Sequence, residues 1–182
     1  MWRTRGSGSG KKGHGFHGPE EALVVDDTRG PNIRIPPPTF FALPMLTGFL
    51  VQHFVPIRIA SGIDPIRTLR LVGIAEIVIA LLLITWAGIT LLRHGATPHP
   101  MHRAGALVSQ GPYSLTRNPM YLALTVMYVG IAFVANAVWP LVFLPEAIAL
   151  VYLFAIKAEE EYLSREFGEA YASYRSRVRR WL

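Results

Sequence analysis

The sequence predicts an all-α, polytopic membrane protein with about four transmembrane helices, a tight helical hairpin toward the C-terminus and a cytosolic amphipathic C-terminal helix. Three observations carry that expectation. Hydrophobic residues make up 51% of the 182 positions and mean hydropathy is +0.32, more apolar content than a small soluble core uses. Four apolar segments, roughly 40–55, 69–92, 120–138 and 141–156, each approach the ~20 residues with which a helix crosses ~30 Å of hydrocarbon. Beyond them, apolar residues recur at helical spacing through a charged stretch.

Residues 1–38 are Gly-rich, basic and then Pro-rich (GSGSGKKGHGFHG, IRIPPP), with neither the apolar core nor the cleavage site of a secretory signal. Such a composition predicts a disordered basic cytosolic tail, followed by one membrane domain over 39–182. His14 and His17 have no further ligand-type residues close by and read as part of that tail rather than as a metal site. The chain has no Cys, which excludes a disulfide framework, a thiolate nucleophile and thiolate metal ligation. Its net charge of +6 sits in tails and interhelical segments. Anionic lipid headgroups are therefore the expected partner, and neither nucleic acid nor metal is expected.

The first and last apolar segments are short and carry Pro44 and Pro145. Between the third and fourth lie only Trp139 and Pro140, preceded by Ala135, Asn136 and Ala137, so those two spans should form an antiparallel hairpin with Trp139 as an interfacial anchor at its tip. Lys and Arg number six before the first span, three between the first and second counting Arg70 at the very start of the second, three between the second and third, none at the hairpin tip and six after the fourth span. With both termini and the central loop in the cytosol, 15 of 18 lie inside. In the C-terminal stretch, Leu163, Phe167, Tyr171, Tyr174, Val178 and Leu182 form one apolar stripe, which predicts a separate interfacial helix.

The central loop ends in GPYSLTRNPMY, Gly111 to Tyr121. Asn118 is a favoured N-cap and Pro119 a favoured first helical residue, so the two mark where the third span starts. A helix start presents unpaired N–H groups, and Arg117 beside it makes either an anion site or a contact to lipid phosphate. After the fourth span comes KAEEEYL, whose adjacent carboxylates suit the first turn of a helix or hold ribose hydroxyls or a cationic ligand group. Glu76 and Glu146 are ionisable groups at membrane depth, functional candidates unless protonated or snorkelling. His53, near a span end, reads as interfacial.

Arg-Asn-Pro-x-Tyr after ALVSQGPY, a helical hairpin, and then EEEYLSREFGEAYASYRSRVRRW resemble the integral-membrane methyltransferases of the isoprenylcysteine carboxyl methyltransferase and phospholipid methyltransferase type. The resemblance covers about residues 97–181 and implies S-adenosylmethionine bound on the cytosolic side. By position it implies that Ala106, Leu107 and Val108 contact the cofactor, that Gly111 permits close approach and that Tyr113 packs against it. It further implies that Asn118, Pro119, Met120 and Tyr121 line the pocket, and that Glu159 and Glu160 are the family's acidic pair, with Glu161 outside it. Arg117 and the helix start would supply the anion site that such a cofactor needs.

Two positions depart from the carboxyl-methylating branch. Asn118 stands where that branch has His, and Ala155 where it carries an arginine before the acidic pair, leaving Lys157 as the nearest cation. A carboxylate acceptor is disfavoured; lipid amines, thiols and phenol-like acceptors stay open, with Lys157, Glu76 and Glu146 as candidate acceptor contacts. Two alternatives also stay open: a membrane reductase of steroid-reductase type, which would need more clustered cations than Arg103 and Arg117, and a non-enzymatic protein that binds anionic lipid.

Overall fold

A computed structural model describes residues 35–96 and 106–181. The expected N-terminal tail with His14 and His17, Arg103 in the central loop, and Leu182 lie outside the described residues, apart from the last four residues of the tail. The described residues are helical, with no strand among them.

Helix α1, Thr39–Phe54, begins where a run of prolines ends. Pro36, Pro37 and Pro38 donate no backbone hydrogen bond of their own, yet their carbonyls accept from Thr39, Phe40 and Phe41 at 3.0–3.1 Å, so the run nucleates the helix it cannot join. Helix α2, Ile63–Arg93, spans 31 residues and starts six residues before the apolar segment. Asp64, Arg67 and Arg70 lower the hydropathy there without breaking the helix, and Asp64 complements the positive end of its dipole. At a rise of 1.5 Å per residue α2 is about 46 Å long, so it extends beyond ~30 Å of hydrocarbon.

Helix α3, Pro119–Val134, and helix α4, Val138–Val151, form the expected hairpin, but Trp139 and Pro140 are not its tip. The turn is Ala135–Ala137, with Asn136 at φ 51, the left-handed conformation that Asn tolerates after a helix end. Ala137 N–H donates to Ala132 O at 3.0 Å and Asn136 N–H to Phe133 O at 3.0 Å, closing α3. Trp139 lies in the first turn of α4, and its indole N–H donates to Val55 O at 2.8 Å. The Asn136 side chain accepts from Ala60 N–H at 2.8 Å and donates to Ala60 O at 2.9 Å, binding the α1–α2 connection to the turn.

A second correction concerns the C-terminus. The fourth span does not hand over to a separate interfacial helix. A π-helical turn, Tyr152–Ile156, joins α4 directly to helix α5, Lys157–Arg177. No proline or capping residue interrupts the sequence there, so the backbone ladder continues. The expected stripe is also divided: Gly168, at φ 44 and ψ −120, kinks α5, and Val178, at φ −117 and ψ 128, leaves the helix. Tyr162, Tyr171 and Tyr174 are the residues α5 buries.

Close packing pairs α2 with α3 and α1 with α4. A Cβ on Gly73 would lie 2.6 Å from Gly130 O, and one on Gly130 2.7 Å from Gly73 O, so glycine on both sides lets the α2 and α3 backbones touch. Gly48 meets Pro140 in the same way, at 2.6 Å. The core gathers Phe40, Phe41, Tyr121, Tyr128, Ala147, Val151, Ala155 and Ile156. Leucines and isoleucines such as Leu46, Leu50, Ile79 and Leu82 point outward, as they do on surfaces that meet lipid. By length and composition, α2 and the continuous 138–177 run suffice to cross a membrane, and α1 and α3 are shorter apolar helices of 16 residues each.

Candidate functional site

The loop before α3 is built on a short 3-10 turn, Gly111–Ser114, where Gly111 adopts φ 59 against α2. A side chain there would meet Thr90 Oγ1 at 3.1 Å and the Trp86 indole nitrogen at 3.5 Å. The loop is also tied to the end of α2 by His94, whose Nε2 lies 3.2 Å from Gln110 Oε1 and whose Nδ1 lies 2.8 Å from Thr90 O. Leading into it, Ala106 and Leu107 are half-buried and Val108 is buried.

Beyond the turn, the loop meets the C-terminal region in a dense polar cluster. Arg117 N–H donates to Arg179 O at 2.9 Å, and Thr116 Oγ1 donates to Arg180 O at 2.9 Å. Asn118 holds the N-cap position of α3 without capping it. Its Nδ2 donates to Arg180 O at 3.2 Å, in the tail at 178–181. Tyr174 on α5 donates to Tyr113 O at 2.7 Å. Pro119 and Tyr121 are buried and Met120 half-buried in the first turn of α3.

The two carboxylates of the acidic pair have different surroundings. Tyr121 donates to Glu159 Oε1 at 2.5 Å. Burial pushes the Glu159 carboxyl up to about 7; the Tyr121 hydrogen bond opposes the rise and the neighbouring Glu160 charge adds to it. Glu160 instead accepts two hydrogen bonds at 2.8 Å from Nε and Nη2 of Arg180, and Arg117 Nη2 lies 3.3 Å from its Oε1. Burial alone would raise this carboxyl, but the Arg180 hydrogen bonds and the charges of Arg117, Arg180 and Arg175 outweigh it and hold it below the ordinary range. Burial and the Glu159 charge together push the Tyr113 phenol up, so it stays a neutral hydroxyl.

Arg117 is 9% exposed, its Nη1 donates to Tyr171 OH at 3.4 Å, and its Nε is buried with no hydrogen-bond partner. Arg117 thus carries an orphaned guanidinium N–H while it pairs with Glu160, the neighbour in sequence of a carboxyl pushed up to about 7. Arg117, the residue the sequence nominates for an anion site, is paired here with Glu160 at 3.3 Å.

The structure brings together Tyr113, Arg117, Asn118, Tyr121, Glu159 and Glu160. It does not gather Lys157, Glu76 or Glu146 with them. Lys157 is exposed, its Nζ 5.5 Å over the Tyr152 ring. Glu76 lies at the α2–α3 crossing beside Gly130, with Oε2 buried and unpartnered. Glu146 is exposed on α4, thirteen positions before Glu159, or about 20 Å of helix. Among the described residues, no group of three or more His, Asp or Glu is placed to hold a metal ion.

Sequence reasoning missed Thr116, Tyr171, Tyr174 and, above all, Arg180. The RVRR run reads as the basic end of an interfacial helix, and only the departure of Val178 from the helix turns Arg180 back toward Glu160.

Residues 69–170 match the phospholipid methyltransferase family. The chain is also similar to the nickel-cobalt-cadmium resistance protein NccN of Alcaligenes xylosoxydans xylosoxydans, with 29% identity over 134 residues, 60% of this chain and 63% of that protein. This chain therefore spans somewhat under two thirds of that relative. With more than half of its length matched, the chain belongs to the phospholipid methyltransferase family, a family of membrane methyltransferases.

Proposed function

We propose that this membrane methyltransferase-family protein transfers a methyl group from S-adenosylmethionine to a lipophilic acceptor, at the end of the bundle where the 111–118 loop meets α5. The observation that carries the reading is that segments some forty residues apart in sequence set Arg117, its Nε unpartnered, against Glu160, and Tyr121 against the neighbouring Glu159. The donor set fits the cofactor, which presents a carboxylate, an ammonium and ribose hydroxyls and calls for an anion site and an acidic partner together.

Arg117 would hold the carboxylate, and Glu159, oriented by Tyr121, the ammonium or the ribose hydroxyls. Ala106, Leu107, Val108, Gly111, Tyr113, Asn118, Pro119 and Met120 would form the remaining wall. When bound, the cofactor supplies an electrophilic methyl group. The chain's own part is to align the acceptor with it and to exclude water, which needs neither a thiol nor a covalent intermediate.

Ala155, fully buried within the π turn, offers no cation for a carboxylate acceptor, and Lys157 points elsewhere. Amines, thiols and phenol-like groups on lipid-soluble molecules fit better, reaching the site sideways through the bilayer. The distribution of Lys and Arg favours a cytosolic position for this end. The metal-resistance name of NccN describes that protein.

Calorimetric titration of the purified, folded protein with S-adenosylhomocysteine should show binding in the micromolar range; a flat titration would sink the proposal. Tritium transfer from labelled cofactor into a total lipid extract should then identify the acceptor.

A further inference from the structure

We infer that Arg180 is a positioning residue of the proposed cofactor site: it neutralises Glu160 and straps residues 178–181 across the 116–118 loop, which leaves Glu159 as the carboxylate that meets the ligand. The inference rests on the methyltransferase reading and divides the labour within the acidic pair.

Three features distinguish Arg180 from an ordinary surface ion pair, which contributes little. The contact is bidentate, both bonds at 2.8 Å, and the Glu160 side chain is only 14% exposed. The same guanidinium lies 5.0 Å over the Tyr152 ring, so it touches the π turn as well as α5. The main chain beside it accepts from Arg117 N–H, Thr116 Oγ1 and Asn118 Nδ2, so the tail carrying Arg180 also fixes the loop that carries Arg117. With Glu160 satisfied by two arginines, its capacity for a further cationic group is spent. Glu159 keeps one hydrogen bond, from Tyr121, and has no arginine of its own.

The charged and titratable groups around Glu159 are Tyr121 on α3, Tyr113 in the loop and Glu160 on α5, the last screened by Arg117, Arg175 and Arg180. This arrangement makes a signed prediction. Arg180→Gln leaves the Glu160 charge less compensated, which holds the proton on Glu159 more tightly. Glu160→Gln removes that charge and releases the proton more easily.

The test is calorimetric binding of S-adenosylhomocysteine between pH 6 and 8.5, on the full chain in detergent, with folding checked by circular dichroism. Arg180→Gln should weaken binding about 10-fold and move its pH midpoint upward, whereas Glu160→Gln should move the midpoint downward. Arg180→Lys should keep the wild-type midpoint more closely than Arg180→Gln, because it retains the charge while losing the fork. Midpoints that stay put, or that move in the same direction in both variants, overturn the inference while leaving the methyltransferase reading intact. Wild-type protein that binds nothing overturns both. If Arg180→Gln does not fold, the signs from Glu160→Gln and Arg180→Lys decide.

Discussion

Helix α3 has a buried asparagine at each end, and the two behave differently. Asn118 before it and Asn136 after it are both 8% exposed, and both hold the main chain of a distant segment, Arg180 in one case and Ala60 in the other. At the Asn136 end, carbonyls and amides of uncharged residues satisfy one another, with Trp139 and Val138 adding bonds to Val55 and Ile57. At the Asn118 end the same device is surrounded by charge, and it leaves Arg117 Nε buried without a partner and Glu159 near neutrality. One end is closed in its own hydrogen bonds; the other keeps a buried donor without a partner. An unsatisfied group tolerated at one end and absent from the other is the asymmetry on which the proposed site rests.

The strongest way to remove the framework common to both ends is Gly130→Leu. Its Cβ alone would sit 2.7 Å from Gly73 O, so α2 and α3 cannot pack. We expect loss of folded protein on gel filtration, and recovery of a normal elution profile would show that the two backbones need not touch.

Next in size is Glu159→Gln, which should weaken S-adenosylhomocysteine about 100-fold, or about 2.7 kcal/mol, with the fold unchanged. The wild type should also show two opposite pH trends. Glu159 titrates near 4.5 unfolded and near 7 folded, so between those values the folded state holds the extra proton. Stability of the ligand-free protein should therefore fall as pH rises through that window, while ligand affinity rises as the carboxylate forms near pH 7. Parallel trends, or trends that persist in Glu159→Gln, would remove Glu159 from the site.

The smallest expected effects compare the asparagines directly. Asn136→Ala loses two hydrogen bonds and a residue suited to positive φ, so about 2 kcal/mol of stability should go while ligand affinity is kept. Asn118→Ala loses one hydrogen bond, about 1 kcal/mol, but should also weaken the ligand several-fold by loosening the tail. Equal ligand effects from the two substitutions would erase the distinction between the ends.

Much of this was legible in the sequence, and the rest was hidden for identifiable reasons. Hydropathy locates the helices, Asn-Pro locates the start of α3, and the family resemblance picks out the acidic pair. The partner of Asn118 is 62 residues away, and nothing in TRNP says that its side-chain amide will donate to a tail carbonyl. Continuity of α4 into α5 was hidden because the polarity changes at Lys157 while the backbone does not. Whether 159 or 160 is the free carboxylate depends on Arg180, whose position follows from Val178 leaving the helix.

The π-helical turn at 152–156 has one more consequence. With no loop between the α4 span and the acidic pair, the two behave like cogs on a single shaft, so any rotation of the span about its own axis is also a rotation of Glu159 and Glu160. An α-helix advances about 100° per residue, and a π turn sets that phase by holding one residue more than an α turn would. Deleting a single residue there would swing both carboxylates by about that angle, away from Tyr121 and Arg180, without removing one atom from either.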